Sequence, residues 1–408
     1  MKKLALLCLP FLGALLLSCQ NGTPTLGSNS SAPSLSEVNP ETSSPNTDLE
    51  PAFIGQTRIK GVKTTTPYTV EVLNTDLGSP WAVIQMSDSR FLITDKEGWM
   101  YLVSQDGKTS HKIEGLPAVD SKAQGGLLDV ALDPNFAQNR LIYWSYSEPV
   151  NGGNHTSVAK GSLSPDEKSI ESIEVIFRAT PVYDGKLHYG SRLIFDKSGA
   201  LYVSTGERSD RQTRPLAQDG SAYIGKILKL TPQGDPAIAT GQGKGWKPEI
   251  YSIGHRNPQG LAFHPETQDL WETEFGPRGG DELNRIEPGL NYGWPIITYG
   301  REYSGAVIGE GIAQKEGYSQ PVYYWDPVVS PSGIDFYTGS IDEWKNNLFI
   351  GCLSGKKIIR LVLENQKVVG EEWLLADSGE RFRDVLSAQD GHLYAVTDSG
   401  KLYKISKK

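Results

Sequence analysis

One phrase recurs six times in this chain: a turn rich in Asp, Asn or Gly, then a short run on the pattern Leu-(Tyr/Ile)-x-(Val/Ile)-(Thr/Ser). It occupies residues 87–103 (SDSRFLITDKEGWMYLV), 133–147 (DPNFAQNRLIYWSYS), 196–208 (DKSGALYVSTGER), 264–276 (HPETQDLWETEFG), 342–363 (DEWKNNLFIGCLSGKKIIRLVL) and 388–406 (AQDGHLYAVTDSGKLYKIS). The turn residues supply the backbone conformations a tight reversal needs, and the runs are β-branched and aromatic, suited to a pleated, half-buried surface. No long amphipathic helical period interrupts them. Six such phrases at spacings of roughly 50–80 residues imply radial repetition with insertions between strands. The expected fold is all-β: a six-bladed β-propeller with four-stranded antiparallel blades over residues 67–408. A row of Ig-like sandwiches is the structural alternative, but the phrase is too regular for it and no linkers separate the units.

Closure has to come from strand pairing. Of the three cysteines, Cys8 and Cys19 lie in the N-terminal leader region, so Cys352 is left without a partner within one chain. A strand from near residues 68–85 is expected to pair with the C-terminal strands and close the ring.

The leader has its own logic. Lys2 and Lys3 precede an apolar run, Leu4–Leu17, which is too short for a comfortable membrane span and ends in LLSC. Residues 1–18 read as a signal peptide whose end resembles a bacterial lipobox. The resemblance implies cleavage before Cys19, lipidation of Cys19, and an exported protein held to a bacterial membrane by its lipid alone, facing the periplasm or exterior. Residues 19–66 are rich in Ser, Thr, Asn and Pro and poor in aromatics, the composition of a flexible tether. Losing the leader removes two lysines and no carboxylate, so the net charge of −8 becomes −10. With no basic run, nucleic-acid binding is excluded.

The six histidines (111, 155, 188, 255, 264 and 392) show no HExxH or HxH spacing, and there is no G-x-S-x-G, Walker or Rossmann motif. Chemistry must therefore sit in isolated turns, the usual place for it on a rigid scaffold. Gln124 precedes a double glycine and an apolar strand. His188 precedes a Gly-Ser turn and a strand. In GHRNPQG, Pro258 keeps the preceding Asn257 out of the helical region, giving a rigid Arg256–Asn257 pair suited to a polar planar ligand. FGPRGGDELN and NYGWP offer only hard oxygens, from Gly276, Pro277, Asp281, Glu282 and Tyr292, a set that suits calcium. In GERFRDV, Arg381 and Arg383 alternate on one strand and share a face, where one polyanion could meet both.

Together these turns resemble the soluble PQQ-dependent aldose and glucose dehydrogenases. The similarity runs from about Leu77 to the C-terminus and rests on YSIGHRNPQGLAF followed by EFGPxxxDELN and NYGWP. It implies a six-bladed propeller binding pyrroloquinoline quinone (PQQ) and Ca2+ over the central channel. It implies His188 as catalytic base, Gln124 as a quinone-site residue, and Arg256 and Asn257 against the cofactor near its reactive carbonyl. Gly276 and Pro277 would give backbone carbonyls to the cofactor's calcium. Asp281, Glu282 and Tyr292 would serve a further calcium, Tyr303 would approach the quinone, and Arg381 and Arg383 would bind cofactor carboxylates.

Two positions depart from the family. Ser354 stands where glucose-type members carry a lysine, with Lys356 two residues on as a substitute. Leu187 replaces the Asp that often precedes the histidine. With the long glucose-type insertions lacking, the shorter aldose-dehydrogenase branch is the better match. The expected reaction is oxidation of an aldose at C1 to the aldonolactone, with electrons passing to an acceptor the sequence does not name, by a monomer or homodimer. A propeller lactonase and a non-enzymatic lipoprotein binding module are the alternatives.

Overall fold

The computed structural model describes residues 38–237 and 244–408; the expected signal segment and Cys19 lie outside them. The described residues form six four-stranded antiparallel sheets. Blade 1 runs over residues 80–113, blade 2 over 127–178, blade 3 over 190–253, blade 4 over 258–325 and blade 5 over 331–374. Blade 6 takes three strands from residues 382–407 and its outermost strand, Tyr68–Asn74, from the start of the domain. That strand pairs antiparallel with Leu402–Lys407, Tyr68 opposite Lys407 and Val72 opposite Tyr403. The ring is therefore closed by backbone hydrogen bonds between its two ends, as the lack of a disulfide requires.

Each repeat phrase supplies the second strand of one blade: Phe91–Asp95, Leu141–Val150, Leu201–Thr205, Leu270–Glu274, Leu348–Cys352 and Leu393–Thr397. These strands are almost wholly buried because sheets pack face to face around the ring. Among the described residues the hydrophobic core accordingly has six main clusters, one between each pair of neighbouring blades, and two smaller ones beside them. Among the described residues no helix is long and apolar enough to cross a membrane.

Of the segment 19–66 expected as a flexible tether, residues 19–37 lie outside the described residues. Residues 38–66 lie against blades 4 and 5 as a polar strap. Asn46 donates from its backbone N and Nδ2 to Asp326 Oδ1 (2.8 and 3.0 Å), and Thr47 from its N and Oγ1 to Asp326 Oδ2 (both 3.0 Å). Gln56 is fully buried and donates to the Pro321 carbonyl at 2.8 Å, while Thr64 donates twice to the Glu372 carboxylate at 2.6 Å. The segment has little apolar surface to bury, but charge-assisted hydrogen bonds to carboxylates order it instead.

Candidate active site

The N-terminal ends of the six inner strands and the C-terminal ends of their antiparallel neighbours meet at one end of the channel. In every blade the register between these two strands shifts near that end, as between Gly190 and Leu193 or Phe382 and Asp384. Such irregularities re-aim side chains away from the sheet face, and they recur beside active sites. Here they surround a cavity of about 540 Å3, into which Gln124, His188, Arg256, Tyr303, Arg381 and Arg383 all project, with Gly276, Pro277 and Ser354 also lining it.

His188 is buried and sits at φ 47°, just before the bulged strand Gly190–Phe195. Its backbone N donates to Gln124 Oε1 at 2.7 Å, so the glutamine in the loop before blade 2 fixes the turn. Its Nδ1 meets Glu207 Oε1 at 2.5 Å. A carboxylate accepts, so Nδ1 carries the proton and Nε2 keeps its lone pair. Glu207 can approach because the residue before it is glycine: a Cβ on Gly206 would lie 2.8 Å from Asn257 Oδ1 and press on the His188 backbone. Burial, then the positive charge of Arg256, pull the imidazole pKa down to about 4 against the pull of Glu207. His188 is therefore neutral across the ordinary pH range.

Arg256 is held from both ends. Its backbone N donates to the Glu274 carboxylate, and its Nη1 donates to the carbonyls of Phe275 and Gly276, each at 2.8 Å. Its guanidinium lies 5.1 Å from the Trp294 ring centroid. Asn257 turns away from the cavity: its Oδ1 accepts from the Gly190 N at 3.0 Å, tying the HRN turn to the His188 turn. Arg256 Nε and Asn257 Nδ2 are buried donors with no protein partner. Asp281 acts as a brace. Its Oδ1 accepts from the Gly276 N (2.7 Å) and its Oδ2 from the Val329 and Ser330 N (2.7 and 2.6 Å). Burial pushes its pKa to about 7 in spite of those bonds.

The opposite wall is cationic. Arg381 and Arg383 both line it, and both bind Asp398, at 2.8 and 2.9 Å. Burial opposes ionisation of Asp398, but the two guanidiniums hold its carboxyl below the usual range. Arg383 also donates to Gln259 Oε1 at 3.1 Å. Ser354 lines the wall with its hydroxyl on Ser330 Oγ at 2.7 Å, whereas Lys356 is exposed and outside the cavity. A lysine does line it, from blade 1: Lys96. Tyr303 stands 71% exposed at the mouth. Below the cavity the channel narrows at Arg192, which binds Asp129 and Asp384 from two other blades at 3.0 and 3.2 Å.

A base, a cationic wall and turn carbonyls in one propeller channel match a known group of enzymes. The family pattern Glucose / Sorbosone dehydrogenase matches residues 77–404. The sequence is 41% identical over 350 residues to the aldose sugar dehydrogenase YliI of Escherichia coli, covering 83% of this chain and 93% of that protein. A crystal structure of a glucose dehydrogenase superposes with a TM-score of 0.79 at 42% identity, covering 83% of this chain and 99% of the other. The PQQ-bound form of an aldose sugar dehydrogenase from Streptomyces coelicolor superposes with a TM-score of 0.66 at 29% identity, covering 84% and 98%. The chain belongs to the glucose/sorbosone dehydrogenase family. It is a quinoprotein sugar dehydrogenase by that membership.

In this dehydrogenase a second cluster lies behind Arg256. Glu272 pairs across the strands with Asn284, and Glu274 with Glu282. Asn284 Nδ2 reaches all three carboxylates, at 3.1, 3.5 and 3.3 Å, and His255 Nδ1 lies 3.4 Å from Glu274. Like charges directly opposite each other destabilise a sheet. Burial, then Glu274, push the carboxyls of Glu272 and Glu282 well above their usual range. Glu272 Oε1 and Asn284 Oδ1 are buried oxygens without a partner, and ligand atoms of His255, Glu272 and Glu274 lie within 4.8 Å of one another. Hard oxygens crowded in this way fit calcium. Of the sequence-predicted set only Glu282 joins this cluster with its carboxylate. Tyr292 contributes its ring, stacked on His255 at 4.9 Å, while its hydroxyl bonds the Arg285 carbonyl at 2.7 Å.

Sequence reasoning missed Glu207, Asp398, Lys96, Glu272 and Glu274 as site residues. All but Glu272, which is mid-strand, lie at or just beyond the C-terminal end of a repeat-phrase strand, and superposing the phrases would have put those four in one ring.

Proposed function

We propose that this dehydrogenase oxidises aldoses at C1 to aldonolactones, with PQQ and calcium held in the cavity and His188 as general base. The observation that carries the reading is the meeting, in one 540 Å3 cavity, of a pinned neutral imidazole, the Arg381–Arg383 pair and the Gly276–Pro277 turn. The PQQ-bound neighbour and the aldose sugar dehydrogenase relative support it. The donor set fits: two guanidiniums for carboxylates, an unpartnered buried donor on Arg256, and hard carbonyl oxygens for calcium.

When bound, PQQ supplies a quinone that accepts hydride and calcium a Lewis acid. The chain's own residues do the rest. Arg381 and Arg383 would grip the cofactor, and Gly276 and Pro277 would hold its calcium. His188 Nε2 takes the proton of the C1 hydroxyl. Glu207 stabilises the imidazolium that forms, and Arg256 offsets negative charge developing across the cavity. Exposed Tyr303 lines the mouth through which sugar arrives. A second calcium would neutralise the Glu272–Glu274–Glu282 cluster.

Apoprotein supplied with PQQ and calcium is expected to reduce a redox dye when an aldose is added. His188→Ala should lose ~10²–10⁴ in rate, the usual worth of a general base, while still binding PQQ. No dye reduction and no change in quinone absorbance with any aldose would sink the reading.

A further inference from the structure

Lys96 lies on the cationic wall but had no place in the sequence reading. It follows the second strand of blade 1, Phe91–Asp95, and so emerges at the channel end that bears the cavity, one blade round from Arg381, Arg383 and Asp398. Its Nζ donates to the Ala123 carbonyl at 2.6 Å, and no carboxylate lies within ion-pair distance of it among the described residues. An ammonium has three donors, so two remain for a ligand. Burial, then the charge of Arg383, pull its pKa down against the opposing charges of Asp398, Glu97 and Asp95. A lysine placed in this way beside like charge gains from any anion that arrives in the cavity.

The arginine pair, by contrast, is already engaged. Asp398 accepts from both guanidiniums and cancels one of their two charges. On the far flank, in blade 5, the wall offers only the neutral hydroxyls of Ser354 and Ser330. A ligand with three carboxylates, as PQQ has, therefore meets one net charge from the pair, and beside the calcium and Arg256 expected at the Gly276 turn it still has a carboxylate to match on this side. We infer that Lys96 is a direct ligand for a cofactor carboxylate and completes a three-cation wall with Arg381 and Arg383. The inference rests on the PQQ reading.

PQQ is titrated into the full-length apoprotein with calcium present and followed by quinone absorbance and tryptophan fluorescence, since Trp81 lines the cavity. Wild-type binding tests the PQQ reading by itself. With that established, Lys96→Met should weaken PQQ by about 10–100-fold, the worth of one charge-assisted hydrogen bond. Lys96→Arg should retain most of the affinity. Adding Ser354→Lys to Lys96→Met should recover part of the loss from the other flank of the arginine pair. Wild-type affinity in Lys96→Met overturns the inference. So does a loss that Lys96→Arg shares in full, because packing of the stem and not charge would then be the cause.

Discussion

Glu207 offers the sharpest test of how His188 works. Glu207→Gln keeps a side-chain oxygen that can accept from His188 Nδ1 and from the Ser209 N, the two bonds that Glu207 Oε1 accepts at 2.5 and 3.0 Å. The ring orientation and tautomer should survive, and only the negative charge is lost. A hydrogen bond to a charged group is worth ~1.5–3 kcal/mol against ~0.5–1.5 kcal/mol for a neutral one. The charge matters most when the imidazole becomes imidazolium, so the transition state should lose ~1–3 kcal/mol more than the ground state. At ~1.4 kcal/mol per decade this is a drop of ~5–150-fold in kcat/KM.

The pH profile separates charge from geometry. His188 has its pKa near 4, where burial and Arg256 pull it down and Glu207 pulls it up. Without the carboxylate the remaining influences point downward, so the acid limb of kcat/KM should move to lower pH as the plateau falls. The assay is dye-coupled turnover of PQQ-saturated enzyme from about pH 3 to pH 9, with the limb read from the free-enzyme parameter. Glu207→Asp, which keeps the charge but withdraws it by one methylene, should fall between wild type and Gln. A plateau within twofold of wild type, or an acid limb that stays in place or rises, would refute the assignment of Glu207 as the group that supports the base.

Two other perturbations have signs that follow from the structure. Asp335 faces the far end of the channel, where its Oδ2 accepts from the Ser387 N at 2.8 Å; burial, with Asp384 adding to it, pushes its pKa to about 7. Its folded pKa lies above the unfolded value, so its stabilising contribution is full below about pH 4 and is lost as pH rises toward 7. Asp335→Asn should therefore gain ~1–2 kcal/mol at pH 8 and nothing at pH 4, a figure reduced for the water that reaches the channel; equal denaturation midpoints for the two proteins at pH 8 would contradict this. Asp326→Ala removes the acceptor of four hydrogen bonds from Asn46 and Thr47, and should cost ~2–3 kcal/mol and open residues 38–66 to protease before the propeller unfolds. Unchanged cleavage kinetics would show that the strap is held by something else.

What the sequence made visible depended on how far apart the partners lie and on which signal their residues carry. The six phrases located the second strand of every blade, because the turn and the β-rich run are local. His188, Arg256 and the Arg381–Arg383 pair stood out because they sit in odd turns before inner strands, where the bulges later aim them. Glu207 and Asp398 were in view inside the phrases themselves, in STGER and AVTDSG, yet there they read as the ends of scaffold strands. Only the antiparallel return of each strand brings those ends beside the inner-strand starts: nineteen residues separate His188 from Glu207 in sequence and 2.5 Å in space. Glu272 and Glu274 were hidden differently. Period-two spacing puts them on one face, but the charge conflict appears only once register sets them against Asn284 and Glu282. The strap marks the limit of arguing from composition. Low apolar content shows that a segment cannot be ordered by hydrophobic burial. It says nothing of a carboxylate 280 residues away, and in Asp326 that carboxylate is what holds Asn46.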